Sequence, residues 1–420
     1  MNRSLACTTH ISGRRVWPTR GTSTAALQQP PRKITKVGYD PELVWGLDTD
    51  RIVEGRTWWW WWWIFFIRDP KHPTRTRQLM ILHSTKNADK VRVLDHTWTR
   101  AYRLKRERQH LGGGGGTPVD LLSFHGMSAA WYYDGEKMHD PWLLKDLEFE
   151  SHSVDGRGSL TVKGRDDLYM TGDGTRYSVG AADDSGGTRI RFDMEPWNAW
   201  LSEHRYAKSN LWRHWGYDIM KVHAMKMRGT IEAPGGAAEN IEGTAYFQKV
   251  RVNAPSTPWY WVVMHAENGL YLDYFQPNVG AQMWRRTERQ RSVFDRWSFA
   301  ELKLRNNLEV YDPGTGVLHT IKKFKLRHGY EKGSKLPIFR AEGTGPTARV
   351  ALTLKTYSRA YWRFEQKHLR GLVRSILYYN EYPAELLDFE FEDMATKRKL
   401  TRADLGFVAA NCEQTWGKLY

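Results

Sequence analysis

The 420-residue chain contains only two cysteines, Cys7 and Cys412, and they lie near its opposite ends. Two distant cysteines provide neither a disulfide framework nor the closely spaced thiolates of a metal site. The 15 histidines include no His-Glu-x-x-His or His-x-His spacing that would indicate metal binding. We therefore expect no metal and no cofactor.

The sequence also lacks an apolar run long enough to span a membrane as a helix. Residues 58–67 are six tryptophans followed by Ile-Phe-Phe-Ile. As a helix these residues would rise about 15 Å, roughly half of the hydrocarbon thickness. As a strand they would reach about 33 Å, and aromatic and β-branched residues favour strands. We predict a strand, and because its alternate side chains point to opposite faces, both faces need apolar cover.

Acidic residues are absent from residues 1–39, where seven basic residues give a charge of +7: Arg3, Arg14, Arg15, Arg20, Arg32, Lys33 and Lys36. This segment has no apolar core of the kind that secretory signals carry. It supplies much of the net charge of +16, so the remainder is only moderately basic and we predict no specific nucleic-acid binding. We interpret residues 1–42 as a disordered basic tail; an organellar transit segment and a start codon placed too early are the alternatives.

Phosphate-binding glycine motifs and a Gly-x-Ser-x-Gly elbow are absent as well, which gives no support to nucleotide binding or α/β-hydrolase chemistry. The basic run at 321–335 is interpreted as a solvated hairpin, and contact with an anionic membrane surface is the alternative. We accordingly expect a protein of the cytoplasm or of a membrane periphery.

Helix signals are few, and strand signals recur along the chain. Residues 100–110 suggest a charged helix or a solvated connection, and residues 401–407 a short helical turn. Elsewhere, segments with the period-two alternation or the composition of strands are separated by turn residues. They are residues 77–84, 159–164, 188–194, 220–232, 271–275, 348–357 and 386–393. This pattern predicts an all-β protein, either a sandwich or a barrel.

Two halves of the chain share one pattern, a Trp-rich strand, a turn and an apolar strand. It occurs at residues 58–84 and again at 258–275, about 200 residues later. A Pro/Gly/Ala stretch at 233–243 separates the halves, so we predict domains at 43–235 and 240–420. A duplicated barrel would explain the tryptophan strand, with one face inside a barrel and the other against the partner domain.

Several short aromatic motifs resemble the carotenoid 1,2-hydratase and AttH-type group of tandem lipocalin-like proteins. They are the first aromatic strand, GTAYFQKV (243–250), PWYWVVMHAENG (258–269), YNEYPAELLDFEFED (379–393) and GFVAANCEQTWG (406–417). The resemblance covers roughly residues 45–420. It implies two tandem lipocalin-like antiparallel β-barrels packed together, which hold an apolar ligand such as a carotenoid, terpenoid or lipid.

In hydrating members, the resemblance implies that a buried carboxylic acid protonates an isoprenoid double bond and water captures the resulting cation. Burial in an apolar cavity keeps such an acid protonated, and tryptophan faces stabilise the cation. The implied ligand-binding residues are Trp59, Trp61, Trp63, Tyr246, Gln248, Trp259 and Trp261.

The place after the Gly-x-x-Tyr-aromatic element, where the resemblance implies the acid, holds Gln248. Glutamine cannot deliver a proton, so we name three other candidate acids in strand-like or adjacent context: Asp273, Glu413 and Glu54. Two functions follow as the leading hypotheses, and a polyanion or nucleic-acid binder that uses aromatic stacking beside basic residues is a weaker third. The protein is a hydratase or cyclase of an isoprenoid-like molecule, or it is a non-catalytic lipocalin-like carrier of one.

Overall fold

The computed structural model describes residues 33–49, 51–101, 104–110, 118–185, 187–212, 215–284, 302–303, 306–368 and 372–419. Almost all of the regular structure is β-strand, and every strand pairing is antiparallel. The strands form a 13-stranded and a 14-stranded sheet. The all-β fold class predicted from the sequence, with two packed antiparallel barrel-like sheets, is confirmed.

The first sheet is built mostly from the first half of the chain. Its strands are β1 (Lys33–Val37), β2 (Trp58–Arg68), β3 (Thr76–Lys86), β6 (Lys105–His110), β7 (Pro118–Tyr133), β8 (Met138–Val154), β9 (Arg157–Val162), β10 (Arg165–Gly172), β11 (Tyr177–Ala182), β12 (Arg189–Pro196), β13 (Arg205–Trp212), β14 (Trp215–Glu232) and β15 (Glu239–Val252).

The second sheet takes two short strands from the first half and the remaining strands from the second. Its strands are β4 (Lys90–Val93), β5 (His96–Thr99), β16 (Trp259–Ala266), β17 (Tyr271–Val279), β18 (Leu302–Lys303), β19 (Asn307–Asp312), β20 (Val317–Ile321), β21 (Phe324–Tyr330), β22 (Pro337–Thr344), β23 (Ala348–Thr356), β24 (Ala360–His368), β25 (Val373–Asp393), β26 (Lys399–Thr401) and β27 (Val408–Lys418).

Among the residues that the structure describes, three short helices accompany the strands: α1 (Pro41–Trp45) and two 3₁₀ turns, Ala281–Trp284 and Arg402–Leu405. The helical turn predicted within 401–407 is therefore confirmed. The charged helix considered for 100–110 is wrong, because Lys105–His110 pairs with β7 as strand β6. Within the described residues, no helix has the length and apolar character needed to cross a bilayer.

Ten strands of the first sheet close into a barrel. The pairing runs β14-β12-β11-β10-β9-β8-β7-β3-β2-β15 and returns from β15 to β14. The domain boundary predicted at 235–240 falls in the connection before β15, yet β15 is bonded on both sides to strands of the barrel. The chain therefore changes sheets only after Val252. The predicted tail ends at residue 42, whereas Lys33–Val37 already forms β1 and the tail's first 32 residues lie outside the described residues.

The tryptophan strand β2 is covered on both faces, as its composition requires. Trp59, Trp61 and Trp63 point into the barrel, where they belong to a core cluster of buried side chains. Trp58 and Trp62 point out of the barrel and pack in a second cluster that also contains residues of the second sheet, such as Trp261. The predicted arrangement, with one face inside a barrel and the other against the partner, is confirmed.

The segment around helix α1, residues 40–47, packs against the side chains of the barrel interior, and we call it the plug. Asp40 caps α1 by accepting from the backbone N–H groups of Glu42 and Leu43, and Trp45 is only 1% exposed. The Trp61 indole donates to the Val44 carbonyl (2.7 Å), and Ser151 donates to the Trp45 carbonyl (2.7 Å). These bonds fix the plug against the tryptophans of the barrel interior.

Candidate functional site

The face of the second sheet that packs on the barrel carries a row of functional side chains. Strand register sets Trp261 opposite Glu413, and Glu413 opposite Glu381. Two residues further along, Val263 lies opposite both Asp273 and Asn411. Directly opposed residues of neighbouring strands point to the same face at about 5 Å. We call this face, together with the outer side chains of β2 and β15 that cover it, the interface layer.

Glu381 and Glu413, which we call the acid pair, are joined through the hydroxyl of Tyr379. This hydroxyl lies 2.7 Å from Glu413 Oε1 and contacts Glu381 Oε1 even more closely. A phenol has one proton, so it can donate to only one of these carboxyls. The other contact is a hydrogen bond when that carboxyl is protonated and donates to the phenol oxygen.

The remaining oxygens of the acid pair each accept from a fixed donor. The Trp259 indole N–H donates to Glu413 Oε2 (2.7 Å), and the Asn411 amide donates to Glu381 Oε2 (2.8 Å). The proton of the acid pair is therefore on one of the two Oε1 atoms, both of which contact the Tyr379 hydroxyl. When Glu381 carries the proton, Glu381 donates to Tyr379 and Tyr379 donates to Glu413; when Glu413 carries it, both hydrogen bonds reverse.

Burial and mutual repulsion keep a proton on the acid pair. Glu381 is 0% and Glu413 6% exposed. Burial raises the pKa of Glu413 to about 7. Burial and then the nearby charge of Glu413 raise the pKa of Glu381 well above its usual range. The acid pair thus favours holding a proton, and the Glu413 pKa of about 7 suits a general acid at neutral pH.

This raised pKa predicts a pH-dependent stability difference between the wild type and Glu413→Gln. The Glu413 pKa is 4.5 in an ordinary environment and about 7 in the fold, so its stabilising contribution is complete below pH 4.5 and is lost as the pH rises through about 7. The free energy of unfolding of the wild type minus that of the variant should fall over this range, by on the order of a few kcal/mol.

Urea unfolding at a series of pH values measures this difference. The comparison with the variant is needed because burial lowers the pKa of His223 and His265 to about 3. Histidines with lowered pKa make both proteins less stable as the pH falls. A difference that does not change between pH 4.5 and 8 would show that Glu413 titrates as an ordinary carboxyl.

Asp273 lies in the same layer but in a different electrostatic environment. Its Oδ2 accepts from the Lys221 ammonium (2.8 Å) and from the Tyr271 hydroxyl (3.1 Å). Burial is the largest single influence and would raise its pKa, but the charges of Lys221 and His223 and the hydrogen bonds from Lys221 and Tyr271 together hold the pKa of Asp273 below its usual range. Asp273 is therefore a carboxylate at neutral pH and has no proton to donate.

His223, Asp273 and Glu309 come together beside Lys221, with one ligand atom of each within 4.8 Å of the others. One imidazole and two carboxylates are ligands that divalent transition metals accept. However, the Lys221 ammonium already supplies a positive charge at Asp273. This arrangement fits a buried ion pair better than a metal centre.

Tyr246 and Gln248 project from β15 into the interface layer. The Tyr246 hydroxyl donates to Gln248 Oε1 (3.1 Å), and the Tyr246 ring lies 5.7 Å from Trp62 and 5.3 Å from Trp261. Trp62 and Trp261 meet edge to face at 5.2 Å. These rings form an aromatic wall beside the acid pair.

The other predicted ligand-binding residues, Trp59, Trp61 and Trp63, lie inside the barrel. Trp61 stacks on Phe124 (5.7 Å) and Trp63 on Phe247 (4.3 Å). The indole N–H groups are bonded to protein atoms, from Trp59 to the Asp48 carbonyl (3.2 Å) and from Trp63 to the Met170 sulfur (3.3 Å). The barrel interior around them is packed as a core. The third predicted acid, Glu54, lies in an exposed turn and accepts from Asn87 (3.0 Å).

A groove of about 440 Å³ opens at one edge of the interface layer. Phe66 and Thr244 from the barrel and His265 and Ala409 from the second sheet are among its lining residues. Glu413 is four residues along β27 from Ala409, which corresponds to about 13 Å in a strand. The groove therefore lies near one end of β27, and the acid pair lies further along the same strand.

Glu381, Tyr379 and Lys221 are not among the site residues predicted from the sequence. The first two belong to the motif YNEYPAELLDFEFED that carried the family resemblance, and the alternation of that strand could have placed them on one face. Lys221 shares the alternating segment 220–232 with His223. Only strand register, which the sequence does not give, brings these residues to Glu413 and Asp273.

No family model matches the sequence, and no curated protein is significantly similar to it. Structure comparison finds similarity to an AttH protein from Nitrosomonas europaea, with 10% identity, a TM-score of 0.42, and coverage of 88% of this chain and 97% of that chain. Kievitone hydratase from Nectria haematococca has 8% identity and a TM-score of 0.35, covering 86% and 89%. CghA, in its structure with Sch210972, has 7% identity and a TM-score of 0.45, covering 86% and 89%. The AttH-type resemblance noted in the sequence is found again in these comparisons.

Proposed function

We propose that the protein binds an unsaturated isoprenoid-like molecule in the interface layer and protonates one of its double bonds, which leads to hydration or cyclisation. The observation that carries this proposal is the acid pair bridged by Tyr379. Two buried carboxyls linked through a hydroxyl hold a proton at neutral pH beside aromatic rings, and acid-initiated alkene chemistry requires this combination.

In the first step, Glu413 transfers its proton to one carbon of the double bond. The π electrons form the new C–H bond, the other carbon becomes a tertiary cation, and Glu413 becomes a carboxylate. Trp259, which bonds Glu413 (2.7 Å), and Trp261, opposite Glu413 in the register, present aromatic rings near the cation. Each such contact is worth roughly 0.5–2 kcal/mol.

The second step removes the cation and restores the proton. In hydration, the oxygen of a water molecule bonds to the cation and a water proton returns to the carboxylate. In cyclisation, the π electrons of a second double bond form the new C–C bond, and the resulting cation loses a C–H proton to the carboxylate. When Glu381 takes up the released proton instead, the hydrogen bonds through Tyr379 can pass a proton on to the Glu413 carboxylate.

Isotope labelling tests this proposal. Acyclic isoprenoids that quench the tryptophan fluorescence should be incubated with the protein in D₂O and, separately, in ¹⁸O-labelled water. Hydration is expected to add one carbon-bound deuterium and one ¹⁸O atom to the product, whereas cyclisation adds deuterium without ¹⁸O. If bound isoprenoids acquire neither label above the rate in buffer, the protein does not catalyse this reaction.

A non-catalytic carrier is the second candidate, and Gln248 favours it. The resemblance implies an acid at this place, and the amide there accepts from Tyr246 (3.1 Å) but has no acidic proton. A carrier would retain its ligand unchanged through purification and would show no label incorporation. The labelling experiment therefore separates the two candidates.

A further inference from the structure

The tryptophans around the acid pair differ from those of the barrel interior in how their indole N–H groups are bonded. In the barrel, Trp59, Trp61 and Trp63 each donate to a carbonyl or sulfur of the protein. In the interface layer, Trp62 and Trp362 are 3% and 1% exposed, yet their N–H groups have no hydrogen-bond acceptor among the residues that the structure describes. The three barrel donors are thus bonded within the protein, whereas the two donors near the acid pair are not.

Strand register places these donors on both sides of the acid pair. Trp362 on β24 is opposite Tyr379, the residue that bridges the pair, and Ala360, two residues away, is opposite Glu381. The side chain of Trp62 on β2 points out of the barrel and contacts Trp261, which is opposite Glu413 in the strand register. Edge-to-face contact with a ring is a much weaker partner for an N–H group than an oxygen acceptor.

An acceptor near the acids is also left open. Asn411 donates to Glu381 through its amide nitrogen (2.8 Å), while its Oδ1, buried in the same layer, has no donor. A buried polar atom without a hydrogen-bond partner lowers the stability of the fold, because it has lost its bonds to water and gained none in return. Several such atoms around one pair of acids therefore point to a ligand that bonds them.

We propose that the substrate of this site is an oxygenated unsaturated molecule, in which a carbonyl or hydroxyl oxygen near the reacting double bond accepts from the Trp362 and Trp62 indoles. This inference rests on the proposed function in that it uses the same site. It narrows the substrate class, because a pure hydrocarbon would leave the donors unbonded. A site whose buried groups hydrogen-bond a substrate oxygen discriminates strongly against the analogue that lacks this oxygen. An apolar pocket discriminates much less between two ligands that differ by one methylene group.

A matched ligand pair tests the inference without any need for turnover. Geranylacetone, an acyclic isoprenoid ketone, is compared with the hydrocarbon of the same skeleton in which the carbonyl is replaced by CH₂. Each is equilibrated with the full-length protein, and the amount that co-elutes in rapid gel filtration is measured by gas chromatography. We expect the ketone to bind at least about tenfold more tightly, which corresponds to one satisfied hydrogen bond.

Trp362→Phe keeps an aromatic ring but removes the indole N–H, and it should lower the ketone preference by about five- to tenfold. The matched control is Trp416→Phe, because the Trp416 N–H is also buried without an acceptor but lies on the opposite face of β27 from Glu413. This control should leave the preference unchanged.

Three results would overturn the inference: equal binding of the two ligands, binding of neither, or a preference that Trp362→Phe does not alter. The proposed function fails separately. If the ketone preference is present and depends on Trp362, but no ligand acquires a label from D₂O or ¹⁸O-water, the protein is a carrier of oxygenated molecules.

Discussion

Glu413→Gln is expected to lower kcat by about 10²- to 10⁴-fold, the usual contribution of a general acid, while the ligand still binds. The amide occupies nearly the same volume and can still accept from the Trp259 indole, which lies 2.7 Å from Glu413 Oε2. It has no acidic proton, so only the protonation step is lost. Glu381→Gln should act in the same direction, because it removes the proton that reaches Glu413 through Tyr379.

The measurement is single-turnover conversion of an isoprenoid that the wild type labels, together with its binding by fluorescence quenching. Glu365→Gln is the matched control, since Glu365 is a buried glutamate (5% exposed) that pairs with Arg374 away from the acid pair. It should keep kcat within about threefold, a change of less than 1 kcal/mol. Equal losses in both variants would indicate a structural effect and remove Glu413 from the catalytic role.

Lys221→Met is expected to destabilise the fold by about 3–5 kcal/mol at neutral pH, because it leaves Asp273 as a buried charge without its partner. Asp273 has a side chain only 4% exposed, and the Lys221 side chain is 20% exposed. Without the ammonium, burial raises the pKa of Asp273. The loss should therefore be largest at neutral and higher pH and should diminish as Asp273 becomes protonated.

Urea unfolding measures this loss, and Lys355→Met provides the control. Lys355 pairs with Glu331 at 3.2 Å, but both side chains are at least one-third exposed, so the control should cost less than about 1 kcal/mol. The double variant Lys221→Met/Asp273→Asn should recover part of the stability by removing the buried charge. If Lys221→Met lowers the free energy of unfolding by no more than Lys355→Met does, water screens the pair of Lys221 and Asp273.

Composition and alternation allowed much of the fold to be predicted. The tryptophan strand had to be covered on both faces because it is apolar at every position, and it lies between the barrel core and the second sheet. The segment at 100–110 was interpreted as a charged helix or a solvated connection because its charged residues favour exposure to solvent. Pairing of Lys105–His110 with β7, a contact between distant residues, makes this part a strand instead.

The candidate site was only partly predictable. Asp273, Glu413, Tyr246, Gln248, Trp259 and Trp261 all lie in the interface layer, whereas Trp59, Trp61 and Trp63 face the barrel core and Glu54 faces solvent. Alternation reveals that Trp61 and Trp62 point in opposite directions, but not which of them meets the second sheet. The different charge states of Asp273 and Glu413 also depend on partners far away in sequence, Lys221 in one case and Glu381 in the other.

The repeat boundary and the sheet boundary do not coincide in this chain. Strand β15 follows the linker in sequence, yet it is the strand that closes the barrel by pairing with β14 and β2. Conversely, β4 from the first half of the chain pairs with β24 in the second sheet. A chain cut at the linker would thus yield two fragments that each carry a strand belonging to the other. We expect such fragments to recover the native fold only by complementation, as a split protein, and a separately expressed half to expose open sheet edges.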